Sequence, residues 1–304
     1  MKTLILSDIH VDTWYTAAVQ RFRLAVDEVD ESIVNTAMDF IWKIKNIPIV
    51  DCLLLAGDYA NDFTTFKHEI NWLANRYSTI YLVLGNHDLI VRGATDYPKS
   101  NLQFASSEQK IEAIRNVCNQ YSNVHLLEGD VINDIGGCMG MCDFLCEPPQ
   151  FGLDKFTYWQ RKWFDGKHWK FFHQQPQAIV EHYDKLLTSI VTKQPKIVIT
   201  HFTPYESGVP VEYRTSQLNY VFYFNAIKYF ELLDHDTFWI CGHTHNRRIC
   251  KYVNSKGKLI QILCNPVGYP NEDIQYCDVV DYSMTKLERY TKESSMNDFL
   301  IEIE

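Results

Sequence analysis

Short apolar runs that stop abruptly at polar residues recur along this chain. Leu4-Ile5-Leu6-Ser7 leads to Asp8-Ile9-His10, and Cys52-Leu53-Leu54-Leu55-Ala56 leads to Gly57-Asp58. Tyr81-Leu82-Val83-Leu84 leads to Gly85-Asn86-His87-Asp88, and Lys196-Ile197-Val198-Ile199-Thr200 leads to His201. Phe238-Trp239-Ile240-Cys241 leads to Gly242-His243-Thr244-His245. Apolar runs of this length, bounded by glycine or polar tips, predict parallel strands covered on both faces. The tips then fall in the crevice beyond the strand ends, where open α/β sheets bind ligands. A lone histidine after a strand is ordinarily structural; five strand ends all carrying Asp, Asn or His are a different observation.

Helical stripes separate the first three runs. Residues 31–45 place Ile33, Val34, Ala37, Phe40, Ile41 and Ile44 at helical spacing, and a second helix is expected over 63–76. The resulting β-α-β-α-β order implies parallel strands with right-handed crossovers, hence an α/β fold. Segments 11–30, 90–101 and 206–224 read as rim loops. Further helices are predicted over 106–121, 177–191 and 225–233. Short strands are predicted over 124–127, 131–135 and 138–143, and a hairpin over 249–253 and 259–264. Residues 278–304 read as an edge strand followed by a weakly ordered acidic tail.

Residues 144–176 break the pattern. They hold Pro148-Pro149 and many aromatics, with Lys and His interleaved. This is either an insertion packing its own aromatics, or a cap that offers cationic and aromatic groups to a phosphate and a base.

Composition narrows the function classes. At 304 residues and 46% hydrophobic content, one large α/β domain can build a full core. The net charge of −9 argues against a partner nucleic acid held by phosphate contacts alone. It does not exclude a phosphate substrate, because bound divalent cations would add positive charge. Nine cysteines and no leader predict reduced thiols and a cytoplasmic protein. Cys138, Cys142 and Cys146 lack zinc-ribbon spacing. No apolar run approaches the ~20 residues of a membrane span. Edge strands could support a dimer, and nothing demands one.

The pooled tip residues are Asp8, His10, Asp58, Asn86, His201, His243 and His245. Oxygen and nitrogen donors without thiolate suit Mn²⁺, Fe or Zn²⁺. Seven donors exceed one site and match two that share a carboxylate. Such a pair of ions can clamp both ends of an in-line displacement at phosphorus.

Asp8-x-His10, Gly57-Asp58, Gly85-Asn86-His87-Asp88, the strand-terminal His201 and Gly242-His243-Thr244-His245 together resemble the signature of the calcineurin-like metallophosphoesterase superfamily, from residue 4 to about 270. The resemblance implies a four-layer α/β/β/α sandwich as a single domain over 1–304, with 144–176 as its insertion or cap. It implies a first metal at Asp8, His10, Asp58 and His245, and a second at Asp58, Asn86, His201 and His243, manganese first among candidates. It makes His87 the catalytic histidine, its ring oriented by Asp88, an imidazole expected near neutral pKa and suited to acid catalysis. The implied activity is a phosphatase or phosphodiesterase in which a metal-bridging hydroxide attacks a small-molecule phosphoester, a nucleotide included.

One departure matters. Protein Ser/Thr phosphatases carry an Asp-Arg pair shortly after Gly-Asp, where this chain has Tyr59-Ala60-Asn61-Asp62-Phe63. The arginine that would grip phosphate has no counterpart there, so Arg92, Arg247 or a cation of the cap is expected to replace it. A nuclease resembling the DNA-repair members and a non-catalytic scaffold on the same fold are the competing readings. The acidity argues against the first, and the complete ligand set against the second.

Overall fold

A computed structural model describes residues 1–15, 29–91, 103–144, 154–171, 175–206, 209, 219–272, 274, 276–281 and 288–303. Two sheets face each other. The first has the order β13-β1-β2-β3-β4, built from β1 (Lys2–Leu6), β2 (Cys52–Ala56), β3 (Thr79–Val83), β4 (Val124–Leu126) and β13 (Leu300–Glu302). Its β1 to β4 run parallel, as the sequence pattern requires. The second sheet has eight strands in the order β12-β11-β9-β10-β8-β7-β6-β5. Its parallel centre is β6 (Ile135–Gly137), β7 (Ile197–Ile199), β8 (Thr237–Cys241) and β10 (Leu259–Cys264). The hairpin partner β9 (Arg248–Val253), the short β5 (Val131–Ile132), and β11 (Tyr276–Asp281) with β12 (Glu288–Glu293) complete it.

Strand parity builds the layers. Ile5, Leu54, Tyr81 and Val83 pack between the sheets with Ile197, Ile199, Ile240 and Leu263. Their neighbours Leu4, Leu6, Leu53, Leu55, Ile80 and Leu82 belong to the core cluster beneath the helices. Alternate residues therefore face opposite apolar layers, which is why these strands lack polar positions. The helices on the first sheet are α1 (Glu31–Ile44), α2 (Phe63–Ala74) and α3 (Ser107–Cys118). Each begins at a side-chain cap, Asp30, Asp62 and Ser106 respectively, satisfying amides that have no intrahelical partner. The shorter α4 (Lys155–Lys162) and α5 (Phe164–His168) lie in the segment read as a cap; α6 (Pro176–Thr192) and α7 (Ile227–Phe230) follow.

Several expectations need correction. The single strand expected over 131–135 is a hairpin, β5 and β6, turned by Asn133 and Asp134 in left-handed backbone. The buried stripe of α1 is Val34, Ala37, Met38, Ile41 and Trp42; Phe40 and Ile44 are exposed. Residues 138–143 form no strand, because β6 ends at Gly137 and Gly140 takes a left-handed φ of 73°. The C-terminal segment is not a loose tail: β13 pairs antiparallel with β1, and Phe299 is fully buried between the sheets.

Candidate metal centre and active site

The parallel strands β1, β2 and β3 present their polar tips at one end, beside those of β7 and β8. Five tip residues adopt left-handed backbone: Asp8 (φ 52°), His10 (48°), Asp58 (61°), His243 (73°) and His245 (49°). Each such non-glycine residue costs about 1–3 kcal/mol and persists only where its surroundings over-determine it. Glycines let the tips interlock. A Cβ on Gly85 would lie 2.1 Å from Asp58 Oδ1, and one on Gly242 would lie 2.7 Å from Asp8 Oδ2.

The donors gather in two sets. Candidate ligand atoms of Asp8, His10, Asp58 and His245 all lie within 4.8 Å of one another. Asn86 Oδ1 stands 2.8 Å from His201 Nε2 and 2.9 Å from His243 Nδ1. Asp58 Oδ2 is 3.5 Å from His10 Nε2 and 3.4 Å from His201 Nε2, so one carboxylate faces both sets. These residues fit divalent ions. Asp8 Oδ2 is buried with no hydrogen-bond partner. His10 Nε2 and His245 Nε2 face each other at 3.1 Å, and burial holds His10 well below its ordinary pKa. Glu272 on His245 Nδ1 leaves the His245 Nε2 lone pair turned toward His10 Nε2, and the charged form of His10 is disfavoured, so both rings can serve an ion as neutral donors.

The electrostatics are those of a buried charge cluster. Burial pushes the Asp8 carboxyl up, against the pull of His245 and His201. Burial would also raise Asp58, but His201 and His87 outweigh it and hold that carboxyl well below the usual range. Burial would lower His201, but Asp58 carries it up to about 9. Burial takes His243 down to about 3.

Other residues aim the ligands. The Ala56 carbonyl holds His201 Nδ1 at 2.7 Å, and Glu272 holds His245 Nδ1 at 2.8 Å. Such partners fix the tautomer and leave Nε2 for the ion. Asp165 Oδ1 accepts from Asn86 Nδ2 at 2.8 Å, and Trp169 Nε1 donates to the Asn86 carbonyl at 2.8 Å.

His87 differs from the expectation in two ways. Its ring partner is Asn61 Oδ1, 2.7 Å from Nδ1, and not Asp88. The Asp88 carboxylate instead accepts backbone N–H groups of Gly85, Asp58 and Tyr59 at 2.7, 3.0 and 3.1 Å, stitching two strand tips together. Nor is His87 poised near neutral: burial takes its pKa down to about 4. Asn61 Nδ2 donates to Asp12 Oδ2 at 2.8 Å, which turns the amide oxygen toward His87. The fully buried Lys110 donates to the carbonyls of Asn61 and Ile90 at 2.7 and 3.0 Å.

A cavity of about 560 Å³ opens over this centre. Its wall includes His87 and Asp165 with Trp163, Phe164, Phe222 and Tyr269, and Phe164 stacks on the His87 ring at 5.2 Å. Arg92 lies outside the described residues. Arg247 is buried, and its guanidinium donates to Asn265 Oδ1 and Ser294, away from the cavity wall. Cys138 and Cys142 are buried and free, and Cys146 lies outside the described residues. Sequence reasoning missed Asn61 as a ring partner, and it missed Asp12, Glu272, Asp165 and Trp169 altogether. Only Asn61 carried a local signal, its place three residues after Asp58.

A family model described as calcineurin-like phosphoesterase matches residues 1–247. The fold resembles that of phosphopantetheinyl hydrolase from Mycobacterium tuberculosis, at a TM-score of 0.61 and 14% identity over 88% of this chain and 90% of that one. A metallophosphoesterase from Sphaerobacter thermophilus aligns over 98% of this chain and 91% of its own at 13% identity, with a TM-score of 0.33. No curated protein matches the chain significantly in sequence. Among the described residues, no helix is long and apolar enough to cross a membrane.

Proposed function

The chain belongs to the calcineurin-like phosphoesterase family, a metal-dependent phosphoesterase, and from that premise we propose that it hydrolyses a small-molecule phosphoester on two divalent ions. Mn²⁺ is the first choice of ion, and nucleotides are the first choice of substrate. One observation carries the reading: two donor sets sharing Asp58 lie beneath a cavity whose wall holds His87. When bound, the ions supply an activated water and neutralise charge at phosphorus.

The chain's own residues do the rest. The Asn61 amide oxygen can only accept, so the neutral His87 ring carries its proton on Nδ1. That leaves the Nε2 lone pair for the reaction. With a pKa near 4, His87 must take up a proton before it can give one to the leaving oxygen. Trp163, Phe164, Phe222 and Tyr269 offer ring faces to a planar leaving group such as a base. A cavity of about 560 Å³ is of small-molecule size.

The test is hydrolysis of p-nitrophenyl phosphate beside bis-p-nitrophenyl phosphate with Mn²⁺, in wild type and His87→Ala. Turnover of at least one ester is expected, falling about 10²- to 10⁴-fold in the variant. The preferred ester separates phosphatase from phosphodiesterase. A panel of nucleotides and a phosphopantetheinyl ester, the latter after the structural neighbour, then narrows the substrate. Two ions bound per chain with no turnover of any ester would sink the hydrolase reading.

A further inference from the structure

Asn86 is the one amide among the seven candidate ligands. Its oxygen serves an ion only if its NH₂ group is turned away, and an amide has no charge to impose that choice. One contact from a segment some 80 residues later settles it: Asp165 Oδ1 takes Nδ2 at 2.8 Å, which leaves Oδ1 facing His201 and His243. Trp169 Nε1 holds the Asn86 main-chain carbonyl at 2.8 Å and so fixes the backbone from which that side chain projects.

These two residues form one unit. The Trp169 N–H donates to the Asp165 carbonyl at 2.8 Å. Gly166 between them packs so closely that a Cβ would sit 2.1 Å from the Trp159 carbonyl oxygen. The Trp159 and Trp169 rings meet edge to face at 5.4 Å. Asp165 is 1% exposed, and its Oδ1 is committed to the Asn86 amide.

We propose that Asp165 and Trp169 are positioning residues for Asn86, so that the segment 154–171 governs loading of the metal position that Asn86, His201 and His243 share with Asp58. The inference rests on the two-ion reading of the site. It makes the aromatic segment a working part of the metal centre as well as a wall of the cavity. Its undocking would release the second ion and leave Asp8, His10, Asp58 and His245 in place.

Mn²⁺ titration of the metal-stripped full chain tests this, with ion counting by mass spectrometry and the spin-coupled signal of paired Mn²⁺ by electron paramagnetic resonance. Wild type binds two ions. Asp165→Ala and Trp169→Phe weaken the second about 10- to 100-fold, the range for lost partners of metal ligands. They leave the first ion unchanged and the paired signal diminished. Asp165→Asn keeps an acceptor for Asn86 Nδ2 and stays within about threefold of wild type, a rescue that a charge-based role would not give. Two ions bound as tightly in Asp165→Ala as in wild type would overturn the proposal. So would equal loss of both ions in all three variants with a lowered melting temperature, since that marks a structural role. A wild-type chain that binds a single ion would instead overturn the two-ion reading beneath it.

Discussion

Asp12, Asn61 and His87 form a relay that decides where one proton sits. Asp12 fixes the Asn61 amide, and the amide fixes the His87 tautomer. Asn61→Ala removes the acceptor, and kcat/KM is expected to fall about 10- to 100-fold. Asn61→Asp keeps an acceptor and adds negative charge, which favours the imidazolium and raises the His87 pKa from its value near 4. If neutral His87 is the working form, the acidic limb of the pH–rate profile moves upward by a unit or more. An unmoved limb would show that some other group sets it. At this scale the sequence was half legible. Asp8, His10 and Asp58 announce themselves by alternation and adjacency, but the left-handed φ that aims them has no signature, since Asp and His tolerate it without usually taking it. Asp165 and Glu272 were illegible because their partners lie 79 and 27 residues away, with no periodicity joining them.

Strands and their turns were read well where both faces are buried, because an apolar run ending in glycine leaves few alternatives. The Gly57 and Gly85 positions show what the ending is for. A Cβ at Gly85 would meet Asp58 Oδ1 at 2.1 Å and the Asp58 amide at 2.4 Å, which are atoms of the shared carboxylate's own residue. Gly85→Ala must displace Asp58, so turnover is expected to fall on the order of 100-fold, with Mn²⁺ affinity for both positions reduced. Wild-type affinity in that variant would mean that the tip yields elsewhere. Periodicity failed at the other end of the chain. β13 is three residues long, and nothing local shows that it closes the open edge of β1. What anchors it is Phe299, fully buried among Ile5, Leu54 and Tyr81 from the first sheet and Leu263 from the second. Arg247 lies over that ring with its carbon 5.7 Å from the centroid. Both observations give this arginine a task in joining the sheets. Phe299→Ala is expected to cost about 3–5 kcal/mol in urea unfolding. A loss below about 1 kcal/mol would show that the C-terminal strand is not part of the cooperative core.

At the scale of the whole molecule, the site opposes the fold until ions arrive. Burial pushes Asp88 and Asp165 up to about 7. The folded chain keeps their protons up to about pH 7 while the unfolded chain has lost them, so stability falls as pH rises through that range. His201 continues the effect: its folded pKa is raised to about 9 from 6.5. The stability from its charged form is fully present below pH 6.5 and is lost as pH rises toward 9. His245, raised by Glu272 and Asp8 against burial, adds in the same direction. The lowered histidines His87 and His243, near 4 and 3, act in the opposite sense, but their window closes at 6.5. Lys110, lowered by burial to about 8, opposes only above that pH. Each proton held by the folded chain alone tilts stability by about 1.4 kcal/mol per pH unit. The metal-free protein should thus melt at a lower temperature at pH 8 than at pH 6.5. Ions reverse the requirement, because they bind neutral imidazole and ionised carboxylate and release the protons those groups hold. With saturating Mn²⁺ the melting temperature should rise over the same interval. Scanning calorimetry with chelator and with Mn²⁺ reads both slopes. Parallel slopes would mean that His201 and His245, the titrating groups among the proposed ligands, do not hold the ions, and that the charge cluster at the strand tips is not the metal centre.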